Sequence, residues 1–195
     1  MNFTEQILYS LMAKTGKNSS EWLPLLQHLQ DTADTMSCLC DEFLSPSFAK
    51  ACGLEENEFK KLAIFLAAVH DIGKAIVVFQ YKIGDKLPER KSALEASGIN
   101  FDVSHDKGKA KQTPHAFAGE EILNLLGCPE CVSTVVGSHH GVPAESVQDL
   151  SWPQEDIAFY ENYYGRDKEN VEVLQDIWQT IFDMALDYAG FLDVS

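Results

Sequence analysis

Residues 65–80, FLAAVHDIGKAIVVFQ, decide how the rest of the chain is read. An apolar run from Leu62 to Val69 gives way to His70 and Asp71, then to Gly73 and Lys74. Apolar residues around the whole circumference mark a buried helix. The run therefore predicts a central helix that starts near Asn57 and ends near Gly73, a residue type that closes helices readily. Histidine and aspartate at the end of such a helix need polar partners or a chemical task, because burying an unpaired polar group is costly.

Helical spacing governs the flanking segments as well. Trp22, Leu25, Leu26, Leu29, Ala33, Met36, Cys40 and Phe43 predict one helix through WLPLLQHLQDTADTMSCLCDEFL, with Ser19-Ser20 as cap, Pro24 in its first turn and Ser45-Pro46 as its end. MNFTEQILYSLMAK reads as a short amphipathic helix. Thr113-Pro114 opens HAFAGEEILNLL, closed by Gly127, and Pro129 opens ECVSTVVGSHH, closed by Gly141. VEVLQDIWQTIFDMALDYAGFL is a final amphipathic helix, still in mid-pattern near Ser195. No segment alternates with period 2. The expectation is an all-α helical bundle, residues 1–195 forming one domain, the N-terminal fragment of something longer. Residues 81–112 read as a long charged loop with one short helix at 89–96.

The bulk numbers narrow the class. With 195 residues, 45% hydrophobic and 23% charged, the chain is globular and long enough for a real core. No apolar run approaches the ~18 residues of a membrane span, so no membrane partner is expected. An acidic residue near the start, with no basic one before it, argues against a secretory signal. Five cysteines, an odd number, then suggest free thiols in the cytoplasm. Cys128-Pro-Glu-Cys131 has zinc-knuckle spacing, but only Cys38-Leu-Cys40 offers a second pair, so small buried side chains are the default reading. The net charge of −15 is hostile to nonspecific nucleic-acid affinity. It is uneven: residues 81–112 hold seven basic side chains against five acids, while residues 142–195 hold twelve acids and two bases.

The histidines count as a set. His28, His70, His115, His139 and His140 sit where helices can turn a side chain inward, and His70-Asp71 and His139-His140 each precede a glycine. Neighbours on a helix point about 100° apart, so both members of a pair can serve only a cavity where helix ends converge. Imidazoles plus a carboxylate suit Mn, Ni, Co, Fe or Zn, whereas Mg prefers oxygen. An aspartate among histidines can bridge two such ions, as in a two-metal hydrolytic centre. Asp31 or a backbone carbonyl is expected to hold the second ring nitrogen of His28. His105, in Ser104-His105-Asp106 within the charged loop, reads as exposed and not a ligand.

The order His28, His70-Asp71, His115, His139-His140 resembles the HD superfamily of metal-dependent phosphohydrolases. WLPLLQHLQDTA, LAAVHDIGKAIVVFQ with its Phe79-Gln80, HAFAGEEIL and SHHGVP are similar to the HD nuclease domain of the CRISPR-associated nuclease–helicase of type I systems. The likeness spans roughly residues 22–143. It implies an all-α domain that holds one or two divalent transition metals and cuts single-stranded DNA. It implies His28, His70 and Asp71 on one metal, and Asp71 bridging to a second held by His115, His139 and His140. Lys74 would lie near the scissile phosphate, making Asp71 and Lys74 the catalytic pair. The implied partners are a helicase domain, in the same or a separate chain, and a CRISPR surveillance complex of the Cascade type. A late Asp-Trp pair that the family uses as a further ligand is absent; Asp183, Asp187 and Asp193 lack its context, and the ligand is expected beyond Ser195. Two alternatives stay open: an HD enzyme acting on nucleotides, and a non-catalytic HD scaffold that docks a helicase or effector complex.

Overall fold

A computed structural model describes residues 3–17, 21–44, 46–103, 113–141 and 157–192. Ten α-helices and one two-stranded sheet make up the described residues: α1 Phe3–Ser10, β1 Met12–Thr15, β2 Trp22–Pro24, α2 Leu25–Glu42, α3 Pro46–Ala51, α4 Glu56–Val69, α5 Val77–Gly84, α6 Pro88–Ala96, α7 His115–Leu125, α8 Glu130–Gly137, α9 Ile157–Tyr164 and α10 Glu169–Tyr188, with a 3₁₀ turn at Ile72–Lys74 between α4 and α5. The mostly helical bundle is therefore as expected.

Helix α4 is the central element. A capping box between Glu55 and Glu58 starts it, and Ile64, Phe65, Ala67, Ala68 and Val69 are buried along it. It packs between α2, which buries Leu25, Leu29 and Ala33, and α10, which buries Leu174, Ile177, Trp178, Ile181 and Ala185. Trp178 is fully buried, and its indole Nε1 donates to Ala75 O at 2.7 Å. That bond fixes the chain just past the His70-Asp71 turn from behind. No single helix among the described residues is long and apolar enough to cross a membrane.

Several boundaries differ from the sequence reading, each for a local reason. Trp22–Pro24 is strand, not helix, pairing antiparallel with Met12–Thr15. Both strands are too short to show a period of 2, and Pro24 becomes the N-cap of α2 rather than a first-turn residue. The first helix accordingly stops at Ser10. Helix α10 ends at Tyr188, where Gly190 (φ +76°) allows Phe191 N to donate to Leu186 O at 2.9 Å. The final helix is punctuated, contrary to the mid-pattern reading. Helix α9 covers a segment that the sequence reading left unassigned.

In the charged segment, α5 reaches Gly84, and α6 starts at Pro88 as N1 and buries Leu94. The first half of that supposed loop is thus helical. His105, Lys107, Lys109 and Lys111 lie outside the described residues, as do the proposed cap Ser19-Ser20 and Asp193. All five cysteines are free. None is buried: Cys38, Cys52 and Cys131 are exposed and Cys40 and Cys128 half-buried, because they fall on outward faces and helix ends.

Candidate metal centre

Asp71 sits where the backbone leaves α4. His70 keeps helical angles, but Asp71 adopts φ −111°, ψ 18°, in the sparsely allowed bridge region between helix and strand. The bend turns the carboxylate inward, where it is 3% exposed. The 3₁₀ turn that follows is pressed against the start of α7. A Cβ on Gly73 would stand 1.9 Å from His115 O and 2.4 Å from Gly119 N, so only glycine allows this approach. The contact carries His115 to Asp71.

Four imidazoles surround the carboxylate, and a fifth, His140, adjoins His115. Oδ2 lies 2.7 Å from His28 Nε2, 3.1 Å from His70 Nε2 and 2.6 Å from Lys74 Nζ. Oδ1 lies 3.1 Å from His115 Nε2 and 3.5 Å from His139 Nε2. His140 Nε2 stands 2.9 Å from His115 Nε2. The ligating atoms fall into two groups, His28–His70–Asp71 and His115–His139–His140, with every ligating atom in a group within 4.8 Å of the others. Asp71 therefore directs one oxygen at each group.

The ring orientations suit ligation. Nδ1 of His70 lies 2.8 Å from Ala67 O, and Nδ1 of His139 lies 2.6 Å from Val136 O. A carbonyl only accepts, so each Nδ1 carries the proton and each Nε2 turns its lone pair into the cluster. His139 and His140 achieve this because α8 ends at Gly137, three residues before the expected last helical residue, His140. The turn that follows lets both imidazoles face one cavity, which adjacent positions on a helix do not permit. Asp31, one of the two kinds of partner expected for His28, accepts from Gln27 Nε2 at 2.6 Å.

Charge and burial also favour cations. Burial pushes the Asp71 carboxyl up, but His115, His70 and Lys74 outweigh it and hold the group well below the usual carboxylate range. Burial pushes the His28 and His139 imidazoles down, toward the neutral form that metals require. Asp71 Oδ1 and His139 Nε2 are both buried with no hydrogen-bond partner. Two buried lone pairs facing one another without a proton between them fit a shared cation, and the donor set of imidazoles plus carboxylate fits a transition metal.

A family model described as Cas3, HD domain matches residues 12–194. The chain belongs to this family. It is 34% identical over 204 residues to the CRISPR-associated nuclease/helicase Cas3 of Streptococcus thermophilus, across 96% of this chain and 22% of that protein. It is 29% identical over 155 residues to the CRISPR-associated endonuclease/helicase Cas3 of Thermus thermophilus, across 73% of this chain and 15% of that protein. A crystal structure of a CRISPR-associated protein shares the fold, with a TM-score of 0.72 at 19% identity over 99% of this chain and 21% of that one. The chain thus spans about a fifth of the length of these relatives or less.

Within this Cas3 HD domain, the structure brings together every residue singled out as a site candidate: His28, His70, Asp71, Lys74, His115, His139 and His140. Sequence reasoning used Phe79-Gln80 only for the family likeness and gave no role to the residues that hold these side chains. Gln80 is buried; its Nε2 donates to Lys74 O (2.8 Å) and Met12 O (2.9 Å), and its Oε1 accepts from Met12 N (2.9 Å), so it ties β1 to the turn that carries Asp71 and Lys74. A polar residue inside the apolar run after Lys74 was the available signal. Nothing in the sequence marked Trp178. Phe79 stands edge-on to His115, its ring centroid 5.7 Å away. Asp183 accepts from Gln179 Nε2, and neither Asp183 nor Asp187 joins the cluster.

Proposed function

We propose that this chain is a metal-dependent nuclease domain that hydrolyses phosphodiester bonds of single-stranded DNA in type I CRISPR interference. The observation that carries this reading is Asp71, one carboxylate whose two oxygens are divided between two imidazole groups. His28, His70 and Asp71 would hold one divalent transition metal, and His115, His139 and His140, with Asp71 shared, a second. When bound, such ions polarise a phosphoryl oxygen and lower the pKa of water from 15.7 to about 7.

The chain's own residues supply the rest. Asp71 stays ionised because His115, His70 and Lys74 surround it, so it needs no deprotonation before it ligates. The carbonyls of Ala67 and Val136 hold the His70 and His139 rings in fixed tautomers. Lys74 is 6% exposed and donates to Asp71 Oδ2, which orients the carboxylate. An ammonium has three donors, and we assign one remaining donor of Lys74 to the scissile phosphate. With a net charge of −15, the chain has little general attraction for DNA. Substrate delivery then falls to a helicase, fused or separate, acting on the strand displaced at a Cascade-type surveillance complex in the cytoplasm.

The test is cleavage of circular single-stranded DNA with Mn, Ni, Co or Mg added, alongside the metal content of the purified chain. Wild type is expected to cut with the transition metals, and Asp71→Ala to lose both metal and cleavage. Persistent cleavage by Asp71→Ala would refute the metal centre. Metal binding without any cleavage would instead favour a docking scaffold.

A further inference from the structure

The apolar face of α4 that does not enter the core opens onto a groove beside the metal centre. Leu62 and Leu66 of α4, Phe59 from the same helix, Met36 of α2 and Val135 of α8 line a cavity of about 510 Å³. Its inner end is formed by the rings of His70 and His139, whose Nε2 atoms face Asp71. Ligand pockets commonly run ~300–1,000 Å³, so the space suits one small, flat, largely apolar group. It offers almost nothing polar: Thr32 Oγ1, on its wall, already donates to His28 O at 2.8 Å.

We infer that this groove takes the base of the nucleotide whose phosphate lies on the metal centre. The inference rests on the reading of the site as one for phosphodiesters. Two walls of the groove are themselves candidate ligands, so a phosphate held there leaves its own base one sugar away from the apolar lining. Leu66, one turn before His70, and Val135, one turn before His139, give apolar side chains of the kind against which a base packs. A wall whose side chains offer little beyond the weakly donating thiol of Cys52 reads a base edge poorly, so it selects for a base without selecting which. That property suits an enzyme that must cut arbitrary sequence. Charge supports the same occupant, since a chain of net −15 gains little from backbone contacts and needs affinity from elsewhere.

The experiment compares ligands that differ only in the base. Calorimetry in Mn buffer would titrate deoxythymidine 5′-monophosphate against 2-deoxyribose 5-phosphate. A strand of ordinary nucleotides would be compared for cleavage with a strand of tetrahydrofuran abasic units. Wild type is expected to favour the base-bearing partner by about tenfold, the scale of one stacked base. Ala63→Trp fills the groove from α4, and Val135→Trp fills it from α8 at a residue 52% exposed and therefore tolerant of the change. Both are expected to bring the ratio toward one while melting like wild type; should Ala63→Trp fail to fold, Val135→Trp decides. A ratio near one in wild type, or a tenfold ratio that survives in a folded variant, overturns the assignment and leaves the groove to an apolar protein segment. Equal cleavage of both strands removes the base site while the nuclease reading stands. Base-dependent binding without cleavage of either strand does the reverse.

Discussion

The two halves of the centre are built differently. His28 lies within α2 and His70 at the end of α4, so the first half hangs on helices whose other faces form the core. His115 begins α7, and His139 and His140 follow the end of α8, so the second half is made of helix termini. Exposure follows this construction: the His28 side chain is 12% exposed, whereas His140 is exposed outright. Packing therefore preorganises one half, and the other depends on how closely α7 approaches the turn after α4. That approach runs through Gly73.

Gly73→Ala is the sharpest way to break the relation, and its effect should be the largest. The added methyl would collide with the backbone of His115 and Gly119, which cannot give way without moving α7. We expect a loss of more than about 4 kcal/mol, the range reserved for severe disruption. Urea unfolding and metal content would both report it. A variant that folds normally and still binds two metals would show that the halves meet by some other contact.

Removing one ligand from each half should separate packing from ligation. His28→Ala deletes a partner of the buried Asp71 carboxylate and opens a space beside the His70 ring, so metal-free stability should fall by about 1–3 kcal/mol. His140→Ala removes an exposed ring, and metal-free stability should change by less than about 0.5 kcal/mol. Both should lower metal content, measured by elemental analysis after dialysis. Equal stability losses would mean that the second half is as firmly packed as the first.

The same division explains what could be read from the sequence. His70-Asp71 and His139-His140, each just before a glycine, were legible, because polar residues that interrupt apolar periodicity have few innocent explanations. The helical class followed from periodicity over long segments such as α4 and α10. The β1–β2 pair was not legible, since three or four residues carry no period and its register depends on Gln80 holding Met12 from another element. The end of α8 was misread for a related reason. Gly137 packs against the Glu120 side chain, a tertiary contact with no local signature, and the helix stops there rather than at Gly141. Trp178 behind Ala75 likewise needs the fold before it means anything. Ligands announce themselves by chemistry, whereas the scaffold that aims them is encoded in contacts between distant segments.

A further predicted effect sets the scaffold against the centre through pH. Glu121 of α7 is buried 7% exposed, away from the ligand cluster, and burial followed by the charge of Glu120 pushes its carboxyl from 4.5 up to about 7. Between those values the folded chain keeps a proton that the unfolded chain has released. Its contribution therefore weakens stability as pH rises through the window, by at most about 3 kcal/mol. His28 and His139 act in the opposite sense. Their folded values lie below 6.5, so the unfolded chain takes up protons first as pH falls, and stability is lost on the acid side. In metal-free wild type the two trends partly cancel. Glu121→Gln removes only the scaffold's share, so stability at about pH 8 should rise relative to wild type and the acid lability of the imidazoles should stand out. Urea melts in chelator at about pH 5 and about pH 8 would check it. Parallel pH profiles for the two proteins would place the titration outside Glu121 and leave the histidine half as the whole source of pH dependence.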